Sequence, residues 1–285
     1  VITFPCSKTE FITDQYHKGN AMKKTMLFAA MLATFAGSAA AQTAAPASPH
    51  TLTGNMTLAT DYRFRGISQT FRGPTIQGGF DYSHSSGLYL GNWNSNVSTN
   101  QFNNGAGIEV DIYGGYKWEV AKDVTADIGL LYYYYPGAEI AALGKKYNNG
   151  EIYFGGTWKW LSVKYSYGLT DFFGLNATTS NALFTLAPNG NSKGSGYLDI
   201  TGNWEVAPKT TFTAHVGRQT VKNYSAASYT DYKLGIAKDY GFATVGLALV
   251  GTNANAAQYT ITSTGGTSIR DVGRPSAVLS VSKTF

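Results

Sequence analysis

The sequence predicts an all-β fold, a transmembrane antiparallel up-and-down β-barrel of about 12 strands. Three observations carry this. Ala277 to Phe285 puts Ala277, Leu279, Val281 and Phe285 on one parity and closes on an aromatic, the pattern of a barrel's closing strand. A secretory leader lies near the other end. Between them, segment after segment alternates apolar with polar residues, as a strand does between two unlike environments. Leu279, Val281 and Phe285 are expected to form a C-terminal insertion signal. Lys283 shares their parity, and its alkyl stem can snorkel to an interface.

Met22-Lys23-Lys24 opens a positive n-region, Met26 to Gly37 forms a short apolar core, and Ala39-Ala40-Ala41 offers a small-residue cleavage site. Residues 22–41 therefore read as a signal peptide and 1–21 as a non-native upstream extension. Residues 42–51 read as a short periplasmic leader and 52–285 as the barrel. The 285 residues include 33 Gly, 20 Tyr and 15 Phe, with 14% charged, rich in aromatics and poor in charge for a soluble domain. The net charge is +5, of which +2 lies in residues 1–41, and no basic cluster marks a nucleic-acid partner. Cys6 is the single cysteine and precedes the leader, so no thiol chemistry is expected in the mature chain. Beyond residue 41 no apolar run reaches the roughly 18 residues of a helical span, and this leaves strands free to cross.

The predicted strands are 52–66, 74–83, 87–97, 106–117, 124–135, 150–160, 161–170, 196–206, 210–220, 230–238, 241–251 and 275–285. In the first, Leu52, Gly54, Met56, Leu58, Tyr62 and Phe64 oppose Asn55, Thr57, Asp61, Arg63 and Arg65. In the fourth, Ile108, Val110 and Ile112 oppose Glu109 and Asp111. In the seventh, Val163, Tyr165 and Tyr167 oppose Ser162, Lys164 and Ser166. Aromatics near strand ends, Tyr62, Trp93, Trp118, Tyr132 to Tyr135, Trp158, Trp160, Trp204 and Tyr240, suggest the girdles of a barrel at the lipid headgroups. Connections alternate short with long, 66–73 being the one short member of the long class. That is the asymmetry of periplasmic turns and extracellular loops. Localisation in an outer membrane with both mature termini periplasmic follows as an expectation.

Parity turns a set of charges inward. The acids are Asp61, Asp81, Glu109, Asp111, Asp127, Glu151 and Asp199, and the bases are Arg63, Arg65, Lys117, Lys159, Lys164 and Lys233. Such side chains need water or partners. They either line a narrow, weakly charge-selective channel for small hydrophilic solutes or pair across the sealed lumen of a non-conducting structural or surface-binding barrel, and the sequence leaves both open. Asp61-Arg63-Arg65 and Glu109-Asp111 are the sharpest constellations, a candidate constriction or a salt-bridge network. His215 is the one histidine inside a predicted strand, and no Walker, HExxH or clustered metal-ligand pattern occurs. No enzyme activity, cofactor or metal is expected.

The runs Asp61 to Thr70, Pro74 to Gly79, Gly87 to Asn96, Glu109 to Tyr116, Gly129 to Gly137, Lys164 to Tyr167, Asp171 to Gly174 and His215-Val216-Gly217 closely resemble the TorF-like porin family, formerly grouped as conserved hypothetical proteins of Gram-negative bacteria. The resemblance covers essentially the whole mature chain. It implies an outer-membrane pore and carries over no binding or catalytic residue. Expected partners are outer-membrane lipid, the barrel assembly machinery and periplasmic chaperones.

Overall fold

The computed structural model describes residues 48–102, 107–141 and 143–285. The predicted extension 1–21 and signal peptide 22–41 lie outside the described residues. The elements are β1 (His50–Ala59), β2 (Arg63–Phe64), β3 (Ile67–Ser68), β4 (Thr75–His84), β5 (Leu88–Asn96), β6 (Ile108–Ala121), β7 (Val124–Tyr134), β8 (Asn149–Trp158), β9 (Leu161–Gly168), β10 (Gly196–Ala207), β11 (Thr210–Thr220), β12 (Tyr229–Asp239), β13 (Thr244–Thr252), β14 (Thr260–Thr262), β15 (Ile269–Asp271) and β16 (Ser276–Thr284). Twelve of these close into one barrel in the order β1-β16-β13-β12-β11-β10-β9-β8-β7-β6-β5-β4. Every barrel pair is antiparallel, and β1 closes the ring by pairing with both β4 and β16. The predicted fold class holds, and each predicted strand has its counterpart.

Period two explains the wall. Outward residues include Leu52, Phe80, Leu130, Phe154, Leu234 and Leu249, each exposed by half its surface or more. Closure satisfies every strand edge, so this apolar surface can face hydrocarbon without orphan backbone groups. Leu279, Val281 and Phe285 face outward as well, Phe285 being 72% exposed. Lys283 reaches the short-turn rim and donates from Nζ to the Gly241 carbonyl at 2.8 Å. Trp118, Trp158, Trp160 and Tyr240 ring that rim outside, Trp160 lying 4.9 Å from Trp204. Tyr132 and Tyr134 stand outside at the opposite end of β7.

Four aromatics of the expected girdle lie inside. Tyr62, Trp93, Tyr133 and Tyr135 are buried in an interior cluster with Phe64, Phe102 and Tyr147. The reason for Tyr62 and Phe64 is a boundary. The first strand stops at Ala59, not at 66, and residues 60–74 turn into the lumen. Asp61, Arg63 and Arg65 therefore sit on an inward loop carrying the small β2–β3 hairpin, not on the wall. The connection read as the short outer one at 66–73 is this long inward loop. Lys159, placed inward from sequence, lies exposed in the β8–β9 turn with φ at 53°. Asn94, Ser95 and Asn96 complete β5, inside the predicted strand 87–97.

Inward tyrosines lie across inward glycines of the neighbouring strand. A Cβ at Gly91, Gly115, Gly129 or Gly217 would run into Tyr113, Tyr89, Tyr153 or Tyr197 respectively. These glycines permit close packing around the ring, as aromatic cover of strand glycine does generally.

Candidate functional site

The site is the half of the lumen at the end of the long connections. Loop 60–74 enters it from β1, and two arginines fix it there. Arg63 is fully buried. Its Nε donates to Asp61 Oδ2 at 2.6 Å. Its Nη1 donates to the carbonyls of Gly66, Val272 and Arg274 at 3.0, 3.2 and 3.0 Å, and Nη2 donates to Ser276 Oγ at 2.5 Å. Burial lowers its pKa from the ordinary value while Asp61 opposes the shift, and a guanidinium so placed keeps its charge. The carboxylate of Asp61 also accepts from Ser68 Oγ at 2.6 Å and Thr70 Oγ1 at 3.1 Å. Arg63 is thus an anchor that ties the loop to the approach of β16.

Arg65 reaches across the lumen. Its Nη2 donates to Glu151 Oε2 on β8 at 2.7 Å, and Nη1 donates to Gln219 Oε1 on β11 at 2.8 Å. The guanidinium lies 4.3 Å from the Tyr197 ring centroid and 4.8 Å from that of Phe64. The backbone at Arg65 is left-handed with φ at 46°, followed by Gly66 at 79°.

From Arg65 a polar network descends the β10–β12 wall. The Tyr197 hydroxyl donates to Asp231 Oδ2 at 3.0 Å. His215 places Nε2 2.9 Å from Asp231 Oδ1 and Nδ1 3.4 Å from Asp199 Oδ1, with Thr201 Oγ1 2.9 Å from Nδ1. Lys164 is the register partner of Asp199, and Lys233 of His215. On the β4–β7 wall the acids are held by phenols. Tyr62 and Tyr135 donate to the two oxygens of Glu109 at 2.9 and 3.0 Å. Burial, then the Glu109 carboxylate, pushes both phenols well above their ordinary range, which keeps them donors. Tyr89 donates to Asp127 at 2.6 Å, and Tyr113 donates to Asp81. Asp111 faces inward between Trp93 and Tyr133.

Of the wall charges named from sequence, the structure places Asp81, Glu109, Asp111, Lys117, Asp127, Glu151, Lys164, Asp199 and Lys233 on the inward parity of their strands, and Lys159 is the exception. It joins Arg65 with Glu151, and Arg63 with Asp61. It does not join the arginines with Glu109 or Asp111. Asp231, Gln219 and Tyr197 were missed. Asp231 had a usable signal, since it shares the inward parity of Lys233; inward tyrosines read as ordinary apolar positions. The opposite half of the lumen is lined by smaller, half-buried residues, Thr53, Thr125, Thr157, Ser162, Thr213 and Ser282. Among the described residues no group of three or more His, Cys, Asp or Glu is placed to hold a metal ion.

A closed twelve-stranded antiparallel barrel with an apolar exterior and a charged, hydroxylated interior has the build of a membrane-spanning barrel. The chain belongs to the family described as bacterial protein of unknown function (Gcw_chp), whose model matches residues 43–285. No curated relative matches the chain. Similar solved structures include the KdgM porin, at TM-score 0.48 and 7% identity over 82% of this chain and 98% of that one. The NanC porin gives TM-score 0.45 and 9% identity over 82% and 98%. OccD3 of Pseudomonas aeruginosa gives 0.38 and 13% over 83% and 65%.

Proposed function

We propose that the protein is an outer-membrane channel for small hydrophilic solutes, narrowed by loop 60–74 and weakly charge-selective. The observation that carries this reading is the two-faced wall, with a continuous ring of inward charges and hydroxyls behind an apolar exterior. The outer half supplies the constriction, and the Arg65–Glu151 pair spans it. Both signs occur in the interior, with Lys164 beside Asp199 and Lys117 beside Asp127, so the two partly offset each other in the field. In this reading residues 22–41 direct export, residues 1–21 are not native, and the barrel assembly machinery inserts the chain through Leu279, Val281 and Phe285. Both mature termini face the periplasm. The chemistry is passive, without catalysis.

A non-conducting barrel is the second reading. Three apolar clusters close over the lumen, bridged by Phe173, Leu183 and Phe184. Planar-bilayer recording of refolded residues 42–285 across a salt gradient decides between them. Discrete steps with a small reversal potential are expected. A folded, heat-modifiable barrel without steps would establish the sealed form, and a large reversal potential would remove weak selectivity.

A further inference from the structure

Charge outside the lumen is unequal at the two ends of the barrel. Among the described residues, the long-connection end carries eight lysines and arginines there against three carboxylates, and the short-turn end carries five lysines against four carboxylates. Each of the three carboxylates is held by its own connection. Glu139 Oε1 accepts from Gly144 N at 2.5 Å, Asp171 Oδ1 from Ser192 N and Lys193 N at 2.9 and 3.1 Å, and Asp271 Oδ1 from Gly273 N and Arg274 N at 2.9 and 3.1 Å. None of the three makes an ion pair among the described residues.

Three of the cations gather on one side of this rim, over β9 to β12. Arg218 is exposed on the outward face of β11, in the cross-strand row Tyr165–Leu198–Arg218–Thr230. Its Nη1 donates to Thr230 Oγ1 at 3.2 Å, and a guanidinium has five N–H donors in all. Lys222 follows β11 and leans towards the outward face of β9. A Cβ on Gly194 would lie 3.0 Å from the Tyr167 hydroxyl and 3.5 Å from Lys222 Cδ. Lys193, next in sequence to Gly194, is exposed. Neither lysine's ammonium makes a hydrogen bond or ion pair among the described residues. No outward residue of β9 to β12 is a carboxylate. The next row towards the short turns is Val163–Ile200–Val216–Tyr232, and Leu234 lies below it. Tyr165, Tyr167 and Tyr232 are exposed by 45%, 41% and 45%.

We propose that this arc of the rim binds the phosphate of a membrane lipid, with Arg218, Lys222 and Lys193 around the headgroup and the acyl chains on Val163, Val216 and Leu234. The inference rests on the membrane placement proposed above. A phosphate monoester carries about 1.5 to 2 negative charges and only acceptor oxygens, which a guanidinium fork and two ammoniums match in sign and in donors. The tyrosines take the headgroup level, where amphipathic rings sit. The apolar floor directly below the cations selects a lipid over a soluble anion, which would gain nothing from it. The opposite arc lacks the cations, since β4 to β7 end outward in Ile76, Asn96, Ile108 and Tyr134.

The test is native mass spectrometry of the chain released from nanodiscs of phosphatidylcholine with a minor share of phosphatidic acid. The parent is expected to retain phosphatidic acid in preference to phosphatidylcholine. Arg218→Gln/Lys222→Gln is expected to reduce that preference about ten-fold. Lys122→Gln/Lys209→Gln removes two charges at the short-turn end and is expected to leave it unchanged. Both leaflets hold the probe, so the outcome is independent of the direction of insertion. Heat-modifiability confirms that each variant is folded. A parent without the preference, or equal retention by the two double variants, overturns the site. Complete displacement of the lipid by inorganic phosphate overturns lipid as the occupant. A folded chain that stays out of the nanodiscs overturns the membrane placement instead.

Discussion

Arg65 touches two walls of the barrel at once, and its partners differ in kind. Glu151 supplies charge, Gln219 a neutral acceptor, and Tyr197 an aromatic face. The planar guanidinium serves all three; an ammonium is a point charge and would serve one at a time. The Arg65–Glu151 pair is almost wholly removed from solvent. Breaking such a pair from one side leaves a buried charge uncompensated, which costs about 3–5 kcal/mol. Glu151→Gln is therefore expected to lower the urea midpoint of the refolded barrel in lipid. An unchanged midpoint would mean that water reaches Arg65. Arg65→Ala removes the side chain that crosses the lumen and is expected to raise single-channel conductance several-fold. Arg65→Lys should fall between, and equal conductance in all three would place the constriction elsewhere. Asp61-Arg63-Arg65 was legible as a constellation because alternate charged residues are rare in an apolar-patterned chain. Its division into an anchor and a bridge was not, since Arg63 draws three backbone carbonyls that carry no sequence signature.

Loop 60–74 shows why one element escaped period-two reading. The alternation of β1 continues in sequence to Arg65, so parity has no reason to stop at Ala59. The chain turns inward because tertiary partners favour it. Ser68 N donates to the Val272 carbonyl, Ser98 N to that of Gln69, and Gln101 holds the Phe71 N–H and the Ser68 carbonyl. Gly66 permits the turn. It has φ at 79°, and a Cβ there would meet Thr252 Cγ2 at 2.5 Å and Asp231 Cβ at 2.6 Å. Both strain and overlap act on a substitution, so Gly66→Ala is expected to destabilise the inward loop by more than about 1 kcal/mol. Limited proteolysis from outside should then cut within 60–74 while the barrel stays heat-modifiable. Protection equal to the parent's would show that the loop tolerates the extra carbon by shifting as a unit.

At the scale of the whole barrel, the two faces of the wall make opposite demands. An arginine at the bilayer midplane on a lipid face costs about 2–4 kcal/mol, whereas lumen positions tolerate charge. Leu130, outward in β7, and Thr157, inward in β8, test this on adjacent strands. Leu130→Arg is expected to lower folding stability in bilayers by that amount, and Thr157→Arg to change it little while altering conductance. Equal effects at both sites would remove the assignment of inside and outside.

The sequence alone determined the strand set, the alternation of the wall, the separation of long from short connections outside 60–74, and the inward parity of the wall charges other than Lys159. These are local or period-two properties, and each strand writes them without reference to its neighbours. Tertiary structure decided which side of the wall each aromatic occupies, that residues 60–74 enter the lumen at the end of the long connections, and that Arg65 meets Glu151 and Gln219. Those contacts join residues 86 and 154 positions apart. No local pattern encodes such a meeting, because barrel closure alone brings β8 and β11 to the loop that follows β1.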